Sequence, residues 1–194
     1  MPVAEKTDKH GRQLMDIESI LFNQNRMVFV DDVITDSLAS DIVKQLLYLS
    51  AVSSEDITLL INSPGGSVTA GLAIYDIMKG LSCDVSTVCL GIAASMSAFL
   101  LAAGTKGKRF VTPNGEVMIH QVMGGASGQA VDVQIAAHRI CRMKENLNKL
   151  LAEFTGQPME RIQVDTDRDY FMTAQEAIEY GMADYVKESF VQCK

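Results

Sequence analysis

The chain alternates between short, mostly apolar runs and longer stretches whose apolar residues recur three and four apart. The first rhythm reads as strands and the second as amphipathic helices. "RMVFV" (26–30) is a strand on this reading. "DITLLINS" (56–63) is apolar almost throughout, as expected of a strand covered on both faces. "DVSTVCLG" (84–91) is a third strand. "DSLASDIVKQLLYLSA" (36–51) predicts a helix with Asp36 as N-cap and Leu38, Ile42, Val43, Leu46 and Leu47 on its apolar face. "VTAGLAIYDIMKG" (68–80) predicts a helix after the loop "SPGGS", and "SMSAFLLAAG" (95–104) predicts the next. "KRFVT" and "EVMIHQV" read as two short strands joined across Pro113-Asn114-Gly115, a turn signal.

After "GGASG" the rhythm changes to a long helix over about 129–155. Its apolar positions Ala136, Ile140, Met143, Leu147, Leu150 and Phe154 form a narrow stripe, and Gly156 is a plausible stop. "TAQEAIEYG" predicts a last helix, with Thr173 and Glu176 spaced as a capping box and Gly181 at its end. Strands alternate with helices, so the class is α/β. Residues 1–14 are polar and read as a mobile arm, leaving 15–194 as one domain without a boundary, solenoid repeat or low-complexity tract.

A length of 194 residues is enough for one sizeable core, and 47% hydrophobic with 21% charged residues is ordinary for a globular protein. The net charge of −7 and the lack of a basic run argue against nucleic acid and anionic membranes as partners. The four cysteines (83, 89, 141 and 193) show no Cys-x-x-Cys spacing. The apolar neighbours of Cys83, Cys89 and Cys141 mark core positions rather than a disulfide framework or zinc site. The expectation is a cytoplasmic protein. The polar start has no signal-type apolar segment, and the stretch near 88–103 is too short and too interrupted to span a bilayer.

Two strand-to-helix junctions carry the candidate chemistry. In "INSPGGSV", Gly65 and Gly66 bare backbone N–H groups beside a helix start; in "GIAASMS", Ser95 and Met96 open another. Helix starts offer unpaired N–H donors and partial positive charge, so Gly66 and Met96 could together hold a developing oxyanion. Equally, the glycines could be turn residues and Ser95 an N-cap. No Gly-Lys-Ser/Thr follows the glycines, so this is not a phosphate loop, and Ser95 is not in a Gly-x-Ser-x-Gly elbow. A nucleophilic serine needs a base. His10 lies in the polar arm and His138 within the long helix; His120, at the end of an apolar strand, is the best base on offer. For the carboxylate that orients it, "DTDRD" leaves Asp165, Asp167 and Asp169 open, and spacing does not choose among them.

"LINSPGGSVTAGLAIYD", "GIAASMSAFLLAAGTKGKRFVTPNGEVMIHQ", "GQA" and "FTGQPMERIQVDTDRDYFMTAQEAIEYG" closely resemble the proteolytic subunit of the Clp protease family over about 25–186. The resemblance implies a crotonase-like α/β domain with the long helix as a protruding handle, and two stacked heptameric rings enclosing a proteolytic chamber. It implies a serine endopeptidase acting on unfolded proteins delivered by an AAA+ Clp unfoldase, with no cofactor or metal in this chain. By motif it makes Ser95 the nucleophile, His120 the base and Asp169 its orienting partner. It makes Gly66 and Met96 the oxyanion hole, and Gly65, Val68, Val122 and Met123 the substrate groove. Asp167 and Arg168 resemble the pair that couples ring contacts to triad alignment.

The chain departs from the family pattern at several places. Ser97 stands where glycine is common, and Val122 where His-Gln is usually followed by proline. Thr58 and Leu60 replace aromatic residues of the unfoldase-docking pocket, Gly80 replaces a bulky side chain, and "DIESILF" replaces "DIYSRLL". These departures predict weak unfoldase docking by the chain alone and a possible second, related ring. They leave open an alternative reading, a catalytically weak or regulatory subunit in a mixed assembly.

Overall fold

A computed structural model describes residues 3–8 and 11–189; His10 and Cys193 lie outside them. Its strands and helices are β1 (Val3–Asp8), β2 (Gly11–Asp16), α1 (Ile17–Asn25), β3 (Met27–Val30), α2 (Asp36–Val52) and β4 (Ile57–Ser63). There follow α3 (Val68–Gly80), β5 (Val85–Ala94), α4 (Met96–Ala102), β6 (Arg109–Val111) and β7 (Glu116–Ile119). The rest are α5 (Ala130–Thr155), α6 (Met159–Asp165), β8 (Tyr170–Thr173), α7 (Ala174–Tyr180) and β9 (Tyr185–Val186). Residues 3–8 and 11–16 form an antiparallel pair, β1 with β2, whose pairing no apolar alternation announces.

The main sheet has seven strands, in the order β3-β4-β5-β6-β9, with β7 on β5 and β8 on β7. Every pairing is parallel except β7 with β8. Parallel strands are buried on both faces, which is why β4 reads as a nearly unbroken apolar run. Helices cover it: Ile42, Leu46, Leu49, Ile74, Leu100 and Leu101 are buried with Ile57, Leu59 and Ile61 in one core.

Three expectations are corrected. Thr35, not Asp36, caps α2: its backbone is extended and its Oγ accepts the Leu38 N–H. Asp36 is already helical, an acid in the first turn that complements the helix dipole. The buried face of α2 is Ala39, Ile42, Leu46 and Leu49, and Leu47 stays 48% exposed, because the face is rotated from the predicted one. The two short strands and the turn at Pro113-Asn114-Gly115 form as expected, with the Gly115 N–H donating to Thr112 O at 2.8 Å, and the strands do not pair with each other. Each pairs in parallel with a different part of β5, β6 with 87–89 and β7 with 92–94. Cys141 is exposed on α5, whereas Cys83 and Cys89 are buried as predicted. Burial pushes the Cys89 thiol up to about 12, so it is an inert core residue.

The α5 helix stands out from the domain. Its base is gripped by an aromatic cluster, Tyr75, Phe99 and Phe154, with ring centroids 5.3–5.6 Å apart. Asn148 and Leu151 are its buried residues, while Val131 and Ile135 in its first turns are 64% and 63% exposed. Gly156 and Gly181 end α5 and α7, and Thr173 with Glu176 closes the predicted capping box. Among the described residues no helix is long and apolar enough to cross a membrane.

Candidate active site

Sheet register brings the candidate residues together. Ala94 of β5 pairs with Met118 of β7, and the Ser95 N–H donates to Met118 O at 2.8 Å. His120, two residues past Met118, therefore lies beside the turn that carries Ser95. On the far side of β7, Ile119 pairs with Tyr170 in antiparallel register, so the next residues outward, His120 and Asp169, face each other. The hydrogen bonds follow: Ser95 Oγ is 2.8 Å from His120 Nε2, and His120 Nδ1 is 3.2 Å from Asp169 Oδ1. One tautomer satisfies both, with Nδ1–H donating to the carboxylate and Nε2 accepting the serine proton; the proton is assigned from this network. Asp165 and Asp167, the other two acids of the run, bond elsewhere. Asp165 accepts from Tyr180 Oη and Arg161, and Asp167 O accepts from Gln121 Nε2 at 2.8 Å.

Ser95 does not act as a side-chain cap. Its φ of 57° and ψ of −121° belong to a region usually left to glycine, and its side chain makes no cap bond to α4. The turn instead points the hydroxyl at the imidazole. Strand, strained serine and helix thus form a sharp turn that presents the hydroxyl, without the Gly-x-Ser-x-Gly sequence. Gly65, at φ 90°, presses against it: a Cβ there would lie 2.6 Å from Ala94 O and 2.8 Å from Met96 N. Gly66 is bridged to Ile34 through Gly65 O and Ser67 N, which leaves its own N–H outside that bridge. Met96 opens α4, where the first-turn N–H groups have no intrahelical acceptor. Gly66, Ser95 and Met96 line one pocket together.

A pocket opens between the two junctions and the base of α5, lined by Val68, Met96, Phe99, Ile119, Leu147 and Asn148 among others. Its lining is mixed, with Ser95, His120, Gln121 and Asn148 set among the apolar side chains. Val122 borders it, half-buried, and Met123 is 77% exposed at its rim. Among the described residues no three His, Cys, Asp or Glu side chains come together as a metal site.

A sequence model of the Clp protease family matches residues 9–190 of the 194. The chain belongs to the Clp protease family. Its single α/β domain is of the crotonase-like Clp type, and family membership makes it a peptidase. Asp167 and Arg168, the family's expected coupling pair, are exposed on the loop that carries Asp169. Gln121, beside His120, reaches that loop, and Lys144 Nζ of α5 donates to Gln121 Oε1 at 2.9 Å. Sequence reading missed this Lys144–Gln121–Asp167 connection and the pocket residues Phe99, Ile119, Asn148 and Leu151. The helical spacing of Asn148 next to Leu147 and Leu151 was the available signal for the pocket; nothing local announces the Gln121 bond.

Proposed function

We propose that this chain is the proteolytic subunit of an ATP-dependent Clp protease, a serine endopeptidase that cuts unfolded polypeptides into short peptides. The observation that carries this reading is the continuous hydrogen-bond line from Ser95 through His120 to Asp169, in a pocket that Gly66 and Met96 also line. An extended substrate lies between the Gly65–Val68 segment and Val122–Met123, with an apolar side chain in the adjoining pocket. Ser95 Oγ attacks the carbonyl carbon while His120 Nε2 takes the proton. The carbonyl oxygen becomes an anion held by the two N–H donors, each worth on the order of 3 kcal/mol. His120 then protonates the leaving amine, and water, deprotonated by His120, releases the acyl group from Ser95. Asp169 holds the imidazole in the required tautomer throughout.

In this reading no cofactor enters the reaction, and ATP is used by a partner AAA+ unfoldase in the cytoplasm. The chain works as two seven-membered rings stacked through α5, whose exposed Val131 and Ile135 support a further burial partner. Thr58, Leu60 and the open space at Gly80 support weak unfoldase docking by the homomeric particle, strengthened by a second, related ring. The test is hydrolysis of a fluorogenic peptide and of unfolded casein, with and without an unfoldase, by wild type and Ser95→Ala. A fluorophosphonate should label wild type and not the variant, and peptide cleavage should fall by at least about 10⁴-fold. Equal activity in Ser95→Ala overturns the reading. An unlabelled, inactive wild type favours the alternative of a catalytically weak subunit.

A further inference from the structure

Ser97 is fully buried one helical step beyond the nucleophile's neighbour, and every bond its hydroxyl makes leads to a junction strand. Its Oγ accepts the Ala94 N–H at 2.8 Å. Its proton goes to Ser63 O at 2.6 Å, with Ala94 O at 2.8 Å as the alternative acceptor. Ala94 is the last residue of β5, immediately before Ser95; Ser63 is the last residue of β4, two before Gly65. Ser63 continues the connection, its Oγ accepting the Gly65 N–H at 3.1 Å and donating to Asp32 O at 2.7 Å. This link sits where the sheet needs one. The β4–β5 ladder slips after Ile61, which pairs with Cys89, so that Ser63 pairs with Ala93. Strands with a register shift between them hold their ends less firmly than a regular ladder.

We propose that Ser97 is a positioning residue that fixes the spacing between the two halves of the oxyanion site, the Gly66 N–H at the end of β4 and the Met96 N–H at the end of β5. This rests on the assignment of Ser95 as nucleophile. The effect falls on the transition state, where the two donors must meet one oxygen, and hardly on substrate affinity.

A merely structural hydroxyl predicts a different order of variants. Helix propensity places alanine above glycine in α4. The positioning role reverses them. In Ser97→Ala a methyl fills the site and the hydroxyl's bonds to the Ala94 N–H and Ser63 O are lost. In Ser97→Gly the vacated space approaches the roughly 30 Å³ that one water occupies, and a water can take over both bonds.

The experiment measures kcat and KM of the assembled particle on a fluorogenic peptide, together with the inhibition constant of a peptide boronic acid, which forms a tetrahedral adduct on the serine. Ser97→Ala should lower kcat about 10- to 100-fold with KM within about twofold, and Ser97→Gly should lose less. Boronate affinity should fall in the same order as kcat. Wild-type kcat in Ser97→Ala, or an order in which Ser97→Ala outperforms Ser97→Gly, overturns the proposal. Should Ser97→Ala not assemble, Ser97→Cys keeps the size with a weaker, longer-bonding group, and wild-type kcat in that variant overturns the proposal equally. Fluorophosphonate labelling separates the two levels. A labelled wild type with equally active Ser97 variants refutes positioning alone, whereas an unlabelled wild type removes the catalytic assignment beneath it.

Discussion

Asp169 is the outlying member of the Ser95–His120–Asp169 line: its side chain is 61% exposed, against 14% for His120. Water competes for an exposed carboxylate, so its hold on the imidazole is weaker than that of a buried one. Asp169→Asn should therefore lower kcat by about 10²–10³-fold, less than loss of a fully buried partner, with KM little changed. Steady-state kinetics on a short peptide checks this, and a loss equal to that of Ser95→Ala would contradict it. At this scale, Ser95 and His120 were legible because few residues of the right chemistry exist and each sits at a junction. The acid was not legible from chemistry. Three aspartates lie within five residues, and the register of β7 against β8, set by contacts about fifty positions apart, selects among them.

Among the elements, α5 joins recognition to chemistry. Its base lines the pocket with Leu147 and Asn148, and one turn earlier Lys144 holds Gln121, which in turn holds the carbonyl of Asp167. Lys144 fixes which way the Gln121 amide faces, so that its NH₂ points at the loop carrying Asp169. Lys144→Met keeps the stem and removes the donor. It should lower kcat about three- to tenfold, leave KM unchanged, and leave the particle intact by sedimentation. A change in KM alone would refute the connection. Long elements with a strong rhythm, α3 and α5, were legible to within a residue or two. The missed elements, β1, β2, α1, α6, β8 and β9, are short and lack a repeating apolar pattern. The partners of β6 and β7 were not legible: a turn signal shows that the chain bends, but strand partners depend on what else is available, and β5 was long enough to take both.

For the molecule as a whole, the buried ion pair Arg109–Asp184 ties distant parts together. The guanidinium donates to Asp184 Oδ1 at 2.6 Å, and through Nη1 to Ala102 O and Phe154 O at 3.1 Å, the carbonyl ends of α4 and α5. Partial burial opposes ionisation of Asp184, but the bonds and charge of Arg109, with the N–H groups of Arg109 and Gly107, outweigh it and hold the carboxyl below its usual value. A lowered carboxylate stabilises the fold fully above its unfolded value, near about 4, and the contribution is lost as pH falls through the lower folded value. Asp184→Asn should therefore lower the thermal midpoint at pH 7, by an amount equivalent to about 3 kcal/mol, and lose less than wild type between pH 5 and pH 3. Parallel melts across that range test the sign; a steeper acid loss in the variant would refute it. Because one side chain closes the ends of two helices and anchors the approach to the last strand, neither α5 nor the sheet edge should melt independently. Heating should give a single cooperative step in which pocket, handle and final strand are lost together, leaving no partly unfolded species in which the peptidase groups persist without the stalk.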